Sequence, residues 1–150
     1  MNRFQLAKSF HEKGYNCAQA VAASFADLTG LSLEQTLAVA GGFGGGVGGS
    51  HQELCGAISG GVMVLSQLFP HLKEGDREGK YALYDLVADF RKRFLEIFQL
   101  SRCEDLLAAE PGLGASTKEA AKLGLTAPCD ILIVTAVQLV EEMLREKHIL

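Results

Sequence analysis

The sequence predicts an all-α protein, a single-domain multi-helix bundle of about seven or eight helices. Three observations carry this expectation. Apolar residues recur at helical spacing along most of the chain, while the alternation that marks strands is weak throughout. Four segments, Ser32–Gln35, Ser50–Glu53, Ser101–Glu104 and Ser116–Glu119, match the capping box. In that motif the serine oxygen accepts an orphan N–H at a helix start, and the acid or amide three residues on reaches back. Finally, 150 residues with 48% apolar and 21% charged content can bury a full core without staples.

The elements follow in chain order. The first helix is expected over 3–13, ending at Gly14, a residue suited to a helix C-terminus. Asn16 reads as the N-cap of a second helix over 16–29, which spaces Cys17, Val21, Phe25 and Leu28 along one face. A third over 33–41 leads into the glycine-rich run. A fourth, over 51–69, stops before Pro70 and carries Leu54, Ile58, Val62, Leu65 and Phe69. The fifth, over 77–99, presents Leu83, Leu86, Val87, Phe90, Phe94, Ile97 and Phe98. Short helices over 102–110 and 117–123 end at Pro111-Gly112 and Gly124. The last, over 127–147, has Thr126 as cap and Pro128 in its first turn, where proline is tolerated. No linker or repeat divides the chain.

Composition excludes several function classes. The net charge of −4 advertises no nucleic-acid or anionic-lipid surface. The run Arg91-Lys92-Arg93 is local and reads as a solvated helix face. No stretch looks like a signal peptide. The longest apolar run, residues 131–140, is too short to span a bilayer. The expectation is a cytoplasmic protein without membrane insertion. In that reducing compartment four cysteines are more often redox-active or metal-binding than structural.

Residues 41–61 read GGFGGGVGGSHQELCGAISGG. Gly44, Gly46 and Gly49 spell GxGxxG, but the segment before them looks helical, whereas the dinucleotide fingerprint needs a strand there. A nucleotide-binding module therefore ranks low. Amides of Gly44, Gly45 and Gly46 could still hold a small anion or cofactor. Gly56 and Gly60, with Ala57 and Gly61, strip one flank of the following helix bare. Glycine there costs about 1 kcal/mol relative to alanine, so close approach of a helix or a cofactor is the expected return.

All four cysteines fall at expected helix starts: Cys17 after Asn16, Cys55 one turn past Ser50, Cys103 after Ser101, and Cys129 after Pro128. A helix N-terminus favours thiolate over thiol. The cysteines also occupy alternate helices. In an antiparallel bundle with short connections, alternate helices start at the same end, so the four thiols should gather at one pole. A lone free cysteine usually behaves as a small buried hydrophobe; four so placed point to a functional cluster.

These residues resemble a known family. Cys55-Gly56-Ala57-Ile58-Ser59-Gly60 reads CGAxxG and stands among three other single cysteines, with GYNCAQAV at 14–21, GGFGGGVG before the motif and Cys-Glu-Asp-Leu-Leu at 103–107. The pattern is similar to the C_GCAxxG_C_C family of redox-active proteins over residues 14 to 130. The resemblance implies a small helical protein with redox-active or metal-binding cysteines. Similar segments also resemble part of split-Soret cytochromes, although no CxxCH is present for covalent haem attachment.

Two chemistries follow. In the first, Cys17, Cys55, Cys103 and Cys129 perform dithiol–disulfide or electron-transfer chemistry with a redox partner, in the manner of an oxidoreductase. Of the three pairings four cysteines allow, Cys17 with Cys55 and Cys103 with Cys129 is favoured. In the second, the same four cysteines ligate an iron–sulfur cluster or another metal. The widely separated cysteines lack the close-paired spacing of zinc ribbons. A variant of this reading adds His51, expected on the helix face of Cys55 four residues on. Both chemistries outrank a thiol hydrolase built on Cys55 and His51. His11, His71 and His148 read as surface residues. A homodimer is compatible with all of these readings.

Overall fold

The computed structural model describes residues 1–109 and 117–150. Among them the architecture is all-helical, with nine α-helices and no strand: α1 (Arg3–Glu12), α2 (Cys17–Ala23), α3 (Ala26–Thr29), α4 (Leu33–Ala40), α5 (Gly56–Leu68), α6 (Arg77–Phe98), α7 (Cys103–Ala108), α8 (Lys118–Lys122) and α9 (Pro128–Glu146). A 3-10 turn at Gly41–Phe43 follows α4.

This exceeds the expected seven or eight because the second expected helix is two. The chain breaks at Ser24-Phe25, where the Ser24 hydroxyl donates to the Val21 carbonyl and Phe25 leaves the helical region with ψ near 12°. Phe25 is fully buried there, with the Arg3 guanidinium over its ring. Packing of that ring wins over helix continuity.

Some of the expected caps are present and others are not. Asn16 caps α2 and Ser32 caps α4, each with a reciprocal glutamine three residues on. Ser50 does not cap: its hydroxyl donates to the Gly46 carbonyl, and α5 starts six residues later than Ser50, at Gly56. Arg102 rather than Ser101 precedes α7, and Ala127 rather than Thr126 precedes α9; neither makes a side-chain cap. The Ser116 cap and the Pro111-Gly112 stop lie outside the described residues.

The helix α9 is the hub. Its residues from Ile131 to Val137 are all buried, so it is apolar on nearly every side, as a central helix must be. This explains the apolar run at 131–140 without any membrane. Around it pack α1, α2, α5, α6, α7 and α8. No helix among the described residues is long and apolar enough to cross a membrane. Phe90, Phe94 and Ile58 fill the space between α5, α6 and α9, while Ile97 of the expected α6 stripe is exposed. At its surface, Arg93 ties α6 to α9 through Glu146, with Asp89 on the same guanidinium.

The most intimate helix pair is α2 with α5, and glycine makes it so. A Cβ added at Gly60 would sit 2.7 Å from the Ala18 carbonyl oxygen and 2.8 Å from Val21 Cβ. One added at Gly56 would lie 3.1 Å from Cys17 Cβ. The bare flank predicted on this helix is therefore the seat of α2, and it sets the position of Cys17.

Candidate functional site: four thiols around the glycine loop

Each cysteine opens a helix. Cys17 is the first residue of α2, Cys103 the first of α7, Cys129 the second of α9, and Cys55 is the N-cap of α5. Cys55 was expected a full turn inside its helix; it lies at the very start because residues 44–54 are irregular.

The glycine loop closes this end of the molecule. From Gly45 to Gly49 five consecutive residues hold positive φ: 59°, 66°, 66° at Val47, 61° and 70°. For L-residues with a Cβ this left-handed winding costs roughly 1–2 kcal/mol each, which is why glycine fills every position but Val47. The wound loop folds on itself. Gly48 N–H donates to the Gly42 carbonyl, Gly49 N–H to Gly44 and His51 N–H to Gly45. The Gly44 and Gly45 carbonyls are thus taken up as acceptors inside the loop. Gly46 instead lets the Cys103 side chain in: a Cβ there would lie 2.6 Å from Cys103 Cβ. Gly56 and Gly60 face α2, not open space.

A short antiparallel bridge joins the loop to α7. Leu54 pairs with Arg102, with Cys55 N–H donating to the Ser101 carbonyl at 2.8 Å and Cys103 N–H to the Glu53 carbonyl at 2.9 Å. Side chains alternate across such a ladder. Cys55 and Cys103 therefore share the face opposite Leu54 and Arg102.

All four thiols are free, and each lies within electrostatic reach of others in the set. The expected gathering at one pole is thus met, but the partners differ from those favoured. The Cys17 side chain engages Cys129, and Cys55 and Cys103 act on it through charge alone. The Cys17 thiol donates toward Cys129, which drives Cys17 well above the usual thiol range; burial adds to the shift. The same interaction draws Cys129 down to about 6, helped by the charge of His11 and opposed by burial and Asp130. Burial pushes Cys55 up to about 11, against the pull of the Ala57 and Ile58 N–H groups at the start of α5. Burial also raises Cys103. Depressed pKa values at all four helix starts are the expectation, and only Cys129 follows; desolvation wins at Cys55 and Cys103, and the interaction with Cys129 wins at Cys17.

Two histidines join the cluster, each unlike its expected role. His51 is not on the α5 helix face of Cys55. It sits in the left-handed loop with φ 63°, and its Nδ1 lies 3.3 Å from Cys103 Sγ. His11 is no plain surface residue: half-buried at the end of α1, its Nδ1 lies 2.7 Å from Asp130 Oδ1, next in sequence to Cys129. A contact spanning 119 positions leaves no local trace; the only sequence signal was Asp130 beside a cysteine at a helix start. His71 and His148 are exposed, as expected.

The expected ligand set is Cys17, Cys55, Cys103 and Cys129 with His51. Among the described residues no three His, Cys, Asp or Glu groups stand close enough together to hold one ion. The Cys17 side chain engages Cys129, and Cys55 and Cys103 flank them.

No curated protein and no solved structure matches this chain. A family model does: residues 15–143 match the family described as "putative redox-active protein (C_GCAxxG_C_C)", which takes in all four cysteines, the wound loop and the α2–α5 seat, and the chain belongs to that family.

Proposed function

We propose that this redox-active protein works by thiol–disulfide exchange, with Cys17 and Cys129 as the reacting pair. The observation that supports it is their side-chain interaction, which draws the Cys129 thiol down to about 6 and pushes Cys17 up. That is the division of labour an attacking and a resolving thiol need. The pairing replaces Cys17 with Cys55 and Cys103 with Cys129.

The Cys129 thiolate attacks one sulfur of a partner disulfide. A mixed disulfide forms, and the other partner sulfur leaves as a thiolate. Cys17 then gives up its proton and attacks the Cys129 sulfur, expelling the second partner thiol. Two electrons pass to the partner, which departs as two thiols. One proton comes from Cys17 and the other from water, which had taken up the proton Cys129 lost. His11, held by Asp130, stands beside Cys129 and favours its charged form, against the opposing charge of Asp130. Cys55, deeply buried, and Cys103, under His51, form the reserve of the set.

The test is to equilibrate the reduced protein with a glutathione redox buffer under argon and map the bonds by mass spectrometry. A reversible Cys17–Cys129 disulfide is expected, lost in Cys129→Ser. Four inert thiols, a different reversible pair, or stoichiometric iron, zinc or sulfide on anaerobic purification would each overturn the reading.

A further inference from the structure

His51 is fixed against Cys103 from three sides. Its N–H donates to the Gly45 carbonyl at 2.8 Å, its own carbonyl accepts the Glu104 N–H at 2.8 Å, and its Nδ1 lies 3.3 Å from Cys103 Sγ. The position carries backbone strain, because φ at His51 is 63°, in the left-handed region that residues with a Cβ seldom adopt. Strain persists where the surroundings hold a residue in place, and it gathers at functional sites. Cys103 is held as firmly. Its N–H donates to the Glu53 carbonyl at 2.9 Å, and its Cβ takes the space that a side chain at Gly46 would fill. A histidine whose acceptor nitrogen faces a thiol serves as a base for it.

Exchange through Cys17 and Cys129 leaves a disulfide that must be reduced before a second turnover. The His51–Cys103 contact is exposed, whereas the His11–Asp130 contact beside Cys129 is partly buried and sets a carboxylate in the way of an incoming thiolate. The two sites adjoin: α7, which Cys103 opens, packs against α9, and the charge of Cys129 reaches Cys103. We infer, resting on the exchange reading above, that Cys103 with His51 is the regeneration site, where a low-molecular-weight thiol of the glutathione class delivers electrons to the Cys17–Cys129 disulfide. Cys103 gives its proton to His51 Nδ1 and attacks the Cys129 sulfur. The Cys103–Cys129 bond forms, the Cys17–Cys129 bond breaks, and Cys17 leaves with the electron pair and is protonated from water. An external thiolate then attacks the Cys103 sulfur and expels Cys129 as a thiolate. A second external thiolate attacks the sulfur of the first, and Cys103 leaves and regains its proton from His51. Two external thiols end as one disulfide, and two electrons have entered the protein. Of the two protons they shed, one is balanced on Cys17 and the other stays in water.

The test starts from the full chain oxidised with one equivalent of diamide to the Cys17–Cys129 disulfide. Glutathione is added, samples are quenched with acid, and bonds and adducts are mapped by mass spectrometry. A transient Cys103–Cys129 disulfide and glutathione carried on Cys103 are expected. In Cys103→Ser the Cys17–Cys129 disulfide should still form, and glutathione should reduce it at least about tenfold more slowly. His51→Gln should slow the same step, and His71→Gln, exposed outside the cluster, should leave the rate unchanged. Glutathione found on Cys129 with Cys103 untouched would overturn the inference. So would a Cys103→Ser protein reduced as fast as its parent. Both results leave the exchange reading standing. A parent chain that forms no Cys17–Cys129 disulfide at the first step overturns the exchange reading and this inference with it.

Discussion

Gly60 is where helix propensity and packing oppose each other. Gly60→Ala should gain about 1 kcal/mol from propensity alone. The added methyl, however, would stand 2.7 Å from the Ala18 carbonyl oxygen and 2.8 Å from Val21 Cβ. Carbon atoms pack best at about 3.5–4.0 Å, so α2 must retreat by about 0.7 Å or α5 must tilt. Both neighbours are fully buried, and one is backbone, so neither can swing aside. Overpacking of this kind costs about 1–3 kcal/mol, which leaves a net loss of about 1 kcal/mol. For a chain of this size that lowers the melting temperature by roughly 2–4 °C. The displacement also moves Cys17, at the head of α2, away from Cys129. The alkylation midpoint of Cys129 should therefore rise, because the Cys17 proton that lowers it is farther off. Gly42→Ala is the control, since a Cβ there meets nothing and its φ is not positive; it should stay within about 0.5 kcal/mol. Urea denaturation and iodoacetamide titration measure both effects. A Gly60→Ala protein that is more stable than its parent, with the same thiol titration, would refute the account of the α2–α5 seat.

Other outcomes follow from the same geometry. In the reduced protein one thiol should react with iodoacetamide along a pH profile centred near 6, and that phase should vanish in Cys129→Ser. Stability should depend on the same groups. The Cys129 pKa is lowered from 9.0, so its contribution is full above 9 and is lost as pH falls toward 6. Cys55 is raised from 9.0 to about 11 and Cys17 is raised further, so theirs is full below 9 and is lost as pH rises beyond it. Urea midpoints of the reduced parent should therefore peak near pH 9 relative to Cys129→Ser, whose low-pH limb should flatten. His51→Gln should slow modification of Cys103 at fixed pH and leave the Cys129 profile in place, as read by peptide mapping. Val47→Gly should stabilise the protein by about 1 kcal/mol in thermal unfolding, because it removes the one side chain held in the left-handed loop.

What could be read along the chain was local. The helices showed because their apolar residues repeat with the helical period. Asn16 and Ser32 showed as caps because capping is a matter of neighbouring residues. The family motif and the placement of cysteines at helix starts were legible for the same reason. Ser50 misled because its hydroxyl had a nearer carbonyl, that of Gly46, once the loop wound left-handed; such winding depends on the loop's contact with α7. The break after Ala23 came from the burial of Phe25, a demand of the core and not of the segment.

The site divides along the same line. By itself, the sequence determined that four thiols would stand at helix N-termini and that Gly56 and Gly60 would allow something close. Only the tertiary structure decided that the visitor is α2, that Cys17 meets Cys129, that His11 and Asp130 stand beside that pair, and that His51 turns to Cys103. The physical reason is that a thiol's pKa is set less by its own helix end than by what is packed around it. Burial and one shared proton outweigh the helix dipole at three of the four cysteines, and neither can be known until the helices have packed.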